Sequence, residues 1–152
     1  MTLHFTPEDL IFPVMTHVTA DRAAATVDAP ATDGIDNAIY GAEVLTVAIA
    51  HETVASSHTL TVSVIHKDPG GSYAIATDVG GNALTLLIPA AAAGDVKRIR
   101  VRCSRLKRHI AIRSVVVGAS NVMFGIEATL WGLDRSSDAL GIAGWDLVDL
   151  DV

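Results

Sequence analysis

Cysteine is almost absent from this chain, which has one, Cys103, among 152 residues. A single cysteine can form no disulfide within the chain, and it cannot build a zinc site from cysteine thiolates. Aromatic residues are scarce as well, at 5% of the composition, so few rings are present for stacking on bases or sugars. We therefore expect stability to come from apolar packing, within the chain and against partner subunits.

Long apolar runs are missing too. Spanning a bilayer as a helix takes about 18 to 20 apolar residues, and the longest candidate, around Leu84–Ala93, is shorter and contains Pro89. The first nine residues lack a basic region followed by an apolar core, so we predict neither a secretory signal nor a membrane partner. Half of the residues are apolar and 18% are charged, which is typical of one folded domain and excludes disorder.

Basic residues are concentrated in one segment. Lys97–Arg113 holds eight of the eleven Lys and Arg residues and no Asp or Glu, so it carries +8 while the rest of the chain carries −14. Its first half alternates, which predicts a β-strand with one apolar and one charged face. The apolar face is Ile99, Val101 and Cys103, and the basic face is Arg98, Arg100 and Arg102.

The basic segment predicts a contact surface, for which three interpretations stay open. In the first, the segment contacts carboxylates of a neighbouring subunit or of the acidic tail. In the second, its basic face is solvated or paired within the chain. In the third, it binds nucleic acid. The net charge of −6 and the lack of aromatics in this segment disfavour nucleic acid. The predicted interface residues, including two tryptophan anchors, are Arg98, Arg100, Arg102, Arg105, Lys107, Arg108, Trp131 and Trp145.

Several other segments alternate with period two between turn-rich stretches such as 68–72 and 78–82. The predicted strands are Glu43–His51, Thr59–His66, Tyr73–Thr77, Ala83–Ile88, Ile110–Val117 and Val122–Trp131. Ala90–Ala93 is too short to sustain a helix alone. Short strands spaced by turns, without alternating helices, predict an all-β, antiparallel, jelly-roll-like β-sandwich.

The ends of the chain differ from its middle. Pro7, Pro13 and Pro30 interrupt residues 1–34, which we interpret as an irregular N-terminal arm with one edge element. Residues 35–132 form the predicted sandwich core. Residues 133–152 combine five Asp residues with large apolar residues, and we predict an extended C-terminal arm that lies on a surface. We expect one domain overall.

No stretch carries a convincing catalytic or metal-binding motif. Cys103 shares the apolar face of its strand, so it is expected to be buried and inert. His51, Glu52 and His58 flank a hairpin and could converge on a metal, but the six histidines show no ligand spacing. The glycine pairs lie in turns and match no phosphate-binding fingerprint. We predict no enzyme activity, no cofactor and no metal.

One stretch carries a resemblance to a known family. Ile88-Pro89-Ala90 leads through Gly94-Asp95 into the Arg-rich strand, and a hairpin to a last core strand follows. This arrangement, over roughly residues 35–132, resembles the jelly-roll capsid decoration (cement) proteins of tailed bacteriophages.

The resemblance implies a structural virion protein without enzyme activity or cofactor. It implies binding to the outer face of the major capsid protein lattice, as a dimer or trimer, after assembly in the host cytoplasm. The basic excess is heavier than this family leads one to expect, which leaves a head or tail adaptor open. A carbohydrate-binding module of a phage fibre is the alternative from another class, with Trp131 and Trp145 as its ring candidates.

Overall fold

Two antiparallel β-sheets make up the computed structural model, which describes residues 11–22, 25–29, 34–37, 42–118 and 121–133. The four-stranded sheet has the order β1-β10-β4-β8 and the six-stranded sheet the order β2-β9-β5-β6, with β3 also paired to β9 and β7 to β5. The strands are β1 (Ile11–Arg22), β2 (Ala25–Ala29), β3 (Ile35–Asp36), β4 (Ala42–His51), β5 (Thr59–Lys67), β6 (Ala74–Ile75), β7 (Thr85–Ile88), β8 (Asp95–Arg102), β9 (His109–Val117) and β10 (Val122–Leu133).

The connections repeatedly change sheet, as they do in a jelly roll. The last three strands go from the four-stranded sheet to the six-stranded sheet and back. β2 and β3 pair with successive parts of β9, so together they occupy one strand position in the sheet. β7 and β6 pair with successive parts of β5 and together occupy another. Eight strand positions in two antiparallel sheets match the jelly-roll architecture that the sequence predicts.

The core lies between the sheets and follows the period-two alternation of the strands. On β4 the side chains of Leu45, Val47 and Ile49 are completely buried, and β10 adds Phe124, Ile126 and Leu130 from the same sheet. β5 supplies Leu60, Val62 and Val64 from the opposite sheet. The alternating strands of the middle of the chain are therefore confirmed, with ends shifted by one or two residues.

The N-terminal segment is more regular than the sequence predicts. Instead of one edge element, residues 11–29 form two strands, with β1 pairing along β10 and β2 along β9. Pro13 is compatible with β1 because that strand is the edge of its sheet, where a missing N–H removes no ladder bond, and the register shifts just after it. Residues 1–10 of the predicted N-terminal arm and residues 134–152 of the predicted C-terminal arm lie outside the described residues.

Two predictions of strand bounds need adjustment. Tyr73–Thr77 is a strand only over Ala74–Ile75, with a separate bridge between Thr77 and Ala83. The alternation at Lys97 begins earlier, at Asp95, and ends at Arg102, after which Cys103–Arg105 form a 3-10 turn. Across the described ranges, no helix is long and apolar enough to cross a membrane.

Candidate protein-binding surface

Strand β8 presents the predicted two faces. Ile99 and Val101 are buried, Arg98 is exposed, and Arg100 and Arg102 are partly exposed. The register with β4 places Arg98 opposite Ala48, Arg100 opposite Thr46 and Arg102 opposite Val44. Cross-strand neighbours share a face, so the three arginines line the outer edge of the four-stranded sheet beside small or uncharged residues. This row of three side chains is the basic row.

A polar groove continues from the C-terminal end of the basic row. It encloses about 440 Å³ and is lined by Thr77, Asp78, Arg102, Ser104 and Arg105. The Asp78 carboxylate accepts hydrogen bonds from the backbone N–H groups of Gly80 and Asn82, both at 2.8 Å. Hydrogen bonding from the Asn82 side chain, together with those two backbone bonds, holds the pKa of Asp78 below its ordinary value. The structure thus joins two of the predicted interface residues, Arg102 and Arg105, in one recess.

Lys107 and Arg108 form ion pairs within the chain. The Lys107 Nζ atom lies 2.6 Å from Asp68 Oδ2, and the Arg108 guanidinium donates hydrogen bonds to both Asp36 carboxylate oxygens at 2.9 to 3.2 Å. Pairing within the chain was one of the three open interpretations, and it describes these two side chains. The Lys107 pair is exposed on both sides, so it stabilises the fold only slightly. In the Arg108 pair the guanidinium is exposed, but the Asp36 side chain is only 18% exposed.

Of the two predicted tryptophan anchors, one lies within the described residues. Trp131 lies on β10, opposite Val44 of β4, so it shares a register row with Arg102 two strands away. Trp145 lies outside the described residues. Their anchoring role stays a prediction.

Arg113 belongs to the basic segment but lies on the other sheet. It is on β9, opposite Asp28 of β2, and its guanidinium donates to the two Asp28 oxygens at 2.7 and 2.8 Å. Both side chains are about 30% exposed. Hydrogen bonding to Arg113 lowers the pKa of Asp28, against the opposing effect of burial. No local pattern indicates this pair, because β2 was not predicted as a separate strand.

The Asp28–Arg113 pair predicts a pH-dependent contribution to stability. An Asp with a lowered folded-state pKa stabilises the fold above its unfolded-state pKa of about 3.9, and this is lost as pH falls through the folded value. We expect Asp28→Asn to lower the free energy of unfolding by about 1 kcal/mol at pH 7. The difference from the parent should shrink below about pH 4 in urea denaturation.

The control for that prediction is Asp68→Asn. It breaks the Lys107 pair, whose side chains are 46% and 65% exposed. Its effect at pH 7 should be smaller, because water screens an exposed pair. Equal effects of the two substitutions would show that partial burial does not strengthen the Asp28 pair.

The structure shows the surroundings of the side chains that were considered for chemistry. Cys103 is buried, and burial raises the pKa of its thiol to about 12, with a further contribution from Glu43. His51 Nδ1 bonds to the Glu52 carbonyl oxygen at 2.8 Å, and the His58 ring is packed against Gly118. Over the part of the chain that the structure describes, no three His, Cys, Asp or Glu residues converge on a possible metal position.

An apolar strip on the outer face of the six-stranded sheet was not predicted. The register aligns Leu87, Thr61 and Val115 across β7, β5 and β9, and places Val117 opposite Thr59. Leu87 is 58% exposed and Val117 is 57% exposed. A sequence signal did exist, because these outward positions of β7 and β9 carry aliphatic residues where a solvent face would carry polar ones.

Comparisons with known proteins give no family. No family model matches the chain, and no curated protein matches it. Among solved structures, it is similar to a chain in a study of Bacillus endospore appendages, described as disulfide-linked pili, at 14% identity and a TM-score of 0.43, covering 88% of this chain and 99% of that one. It is also similar to a chain of infectious bursal disease virus, Gx strain, at 12% identity and a TM-score of 0.35, covering 81% of this chain and 30% of the viral one.

Proposed function

We propose that this protein is a structural virion component that binds the outer face of a phage capsid and stabilises it, as the family resemblance implies. The apolar strip carries the proposal, because two aliphatic side chains on one sheet face are more than half exposed. Leu87 and Val117 lie on either side of Thr61 and Thr59 of β5, and exposed apolar surface of this kind marks sites of protein association. The role is structural rather than catalytic, and it requires no cofactor.

The mechanism is bridging of adjacent capsid subunits. The apolar strip, centred on Leu87 and Val117, supplies apolar surface that becomes buried on contact with the capsid. Basic side chains on the opposite sheet and in the groove supply charge complementarity with capsid carboxylates. Binding only the assembled shell stabilises that shell by mass action, by about 2.7 kcal/mol per site at a concentration one hundred times the Kd. The protein itself acts as a homo-oligomer, a dimer or trimer, in this proposal.

The test uses expanded empty heads of the phage that carries the gene. We expect the purified protein to bind these heads and to raise their melting temperature, and we expect Leu87→Glu with Val117→Glu to abolish both effects. The control is Val79→Glu, an aliphatic residue that is 51% exposed in a turn off the strip, which should leave binding unchanged. Heads that neither bind the parent protein nor gain stability would contradict the proposal, and binding to a glycan array instead would favour the carbohydrate-binding alternative.

A further inference from the structure

His66, near the end of β5, accepts a hydrogen bond that depends on its protonation state. The backbone nitrogen of Lys107 lies 3.2 Å from His66 Nδ1, and a backbone N–H can only donate. Nδ1 therefore carries a lone pair, and the ring is neutral when this bond forms. A protonated imidazole has a hydrogen on both nitrogens, so its Nδ1–H would face the N–H of Lys107 as a second donor.

We propose that His66 is a pH-sensitive latch, which holds Lys107 beside the end of β5 and releases it when the ring is protonated. Lys107 has a second attachment at the same place, because its Nζ atom lies 2.6 Å from Asp68 Oδ2. Both attachments need a deprotonated partner. His66 is the one that responds in mildly acidic solution, since the ordinary pKa of a histidine is about 6.5 and that of an aspartate is about 3.9.

The residues on either side confine the movement to Lys107. Leu106 is buried in the core, and the carbonyl oxygen of Arg108 accepts a hydrogen bond from the backbone N–H of Asn37 at 2.7 Å. Neither contact involves His66, so protonation of the ring leaves both in place. The latch therefore acts on one residue between two fixed neighbours.

The groups that face the ring favour its neutral form. Burial lowers the pKa of His66, the positive charge of Lys107 lowers it further, and the negative charge of Asp68 acts in the opposite direction. The residues opposite His66 on the neighbouring strands, Ala74 of β6 and Ile110 of β9, carry no charge. The neutral ring thus stabilises the fold above the unfolded-state pKa of about 6.5, and this stabilisation is lost as pH falls through the lower folded-state value.

The latch makes one point of the basic segment sensitive to pH. Lys107 is a predicted interface residue, and its side chain is 46% exposed in the pair with Asp68. When the ring is protonated, its charge repels the Lys107 ammonium and balances the Asp68 carboxylate, so the ammonium is released toward carboxylates of a partner. The inference does not rest on the proposed function, because the latch acts within the chain whether or not a capsid is bound.

Amide hydrogen exchange of Lys107, measured by NMR in the full-length protein, tests the proposal. We expect the protection factor of this amide to fall by about tenfold between about pH 7.5 and pH 5, with its midpoint where the His66 ring titrates. His66→Asn should keep the protection constant, because an amide oxygen accepts the bond at every pH. The matched control is His109→Asn, which should retain the fall, since His109 Nδ1 has no hydrogen-bond partner among the described residues.

Two charge variants separate the latch from the ion pair. Lys107→Gln and Asp68→Asn remove the same pair and keep the backbone N–H at position 107. Lys107→Gln should move the midpoint to higher pH and Asp68→Asn should move it to lower pH, because the two charges act on the His66 ring in opposite directions. A protection factor that stays constant through the titration of the ring overturns the proposal. Midpoints that move in the same direction also overturn it, because loss of the ion pair would then control the release.

Discussion

Gly34→Ala is expected to lower the free energy of unfolding by about 3 kcal/mol, whereas Gly70→Ala should cost only about 1 kcal/mol. The two glycines have nearly the same left-handed backbone, with φ of +70° and +75°. A side chain at either position therefore meets the same conformational penalty. The two positions differ in the space around them.

A Cβ atom at Gly34 would collide with the backbone carbonyl oxygen of Ile110 and with the Tyr73 hydroxyl, whereas one at Gly70 would meet nothing within 4 Å. Tyr73 can move, but Ile110 is fixed on β9 by pairing with both β3 and β5. The clash must therefore be relieved by displacing β3 from β9. Urea denaturation of both variants measures the difference, and equal losses would show that the backbone conformation alone decides the cost.

The close approach of Gly34 to Ile110 could not be predicted from the sequence. Gly34 is the last residue of the segment that was predicted as an irregular arm, and β3 begins directly after it. The close approach to Ile110 joins residues more than seventy positions apart, so no local pattern indicates it. Local alternation identified β4, β5, β9 and β10 because each buries one face. The pairing order depends on contacts across the whole chain, which single-strand patterns do not encode.

The missed strands have a common physical cause. β1 is at the edge of its sheet and includes Pro13, and β3 has two residues. An edge position tolerates residues that a central strand excludes, so its sequence lacks the alternating signature. Such strands gain their stability from a neighbour that is already formed, here β10 for β1 and β9 for β3.

The candidate surface was predicted in part for a related reason. The two faces of β8 follow from its own sequence. The partners of Lys107 and Arg108 are 39 and 72 positions away, so the excess of basic residues was visible in the sequence but the ion pairs were not. The apolar strip needed the register of three strands, since only that register shows that Leu87 and Val115 lie in one row on the same face, on either side of Thr61.

Exchanging two adjacent residues of β8 should have the largest effect of any change considered. The variant with Arg100→Val and Val101→Arg keeps the composition and the net charge, but it moves one of the three arginines from the outer face to the buried face. Val101 is 3% exposed and lies opposite Leu45, so an arginine there is placed among aliphatic side chains. We expect a loss of about 4 kcal/mol or more, a large part of the total stability of a domain.

The single variants separate the two parts of this effect. Arg100→Val alone should cost less than about 1 kcal/mol, because a partly exposed position accepts an aliphatic residue. Val101→Arg alone should unfold the protein nearly as completely as the exchange does. Circular dichroism through a urea titration distinguishes the three. If the exchanged protein were as stable as the parent, the alternation of β8 would not be what orients this strand. The exchange keeps the residue types of the strand and its total charge. Its outcome therefore tests whether the burial of one face sets the register of β8 against the core.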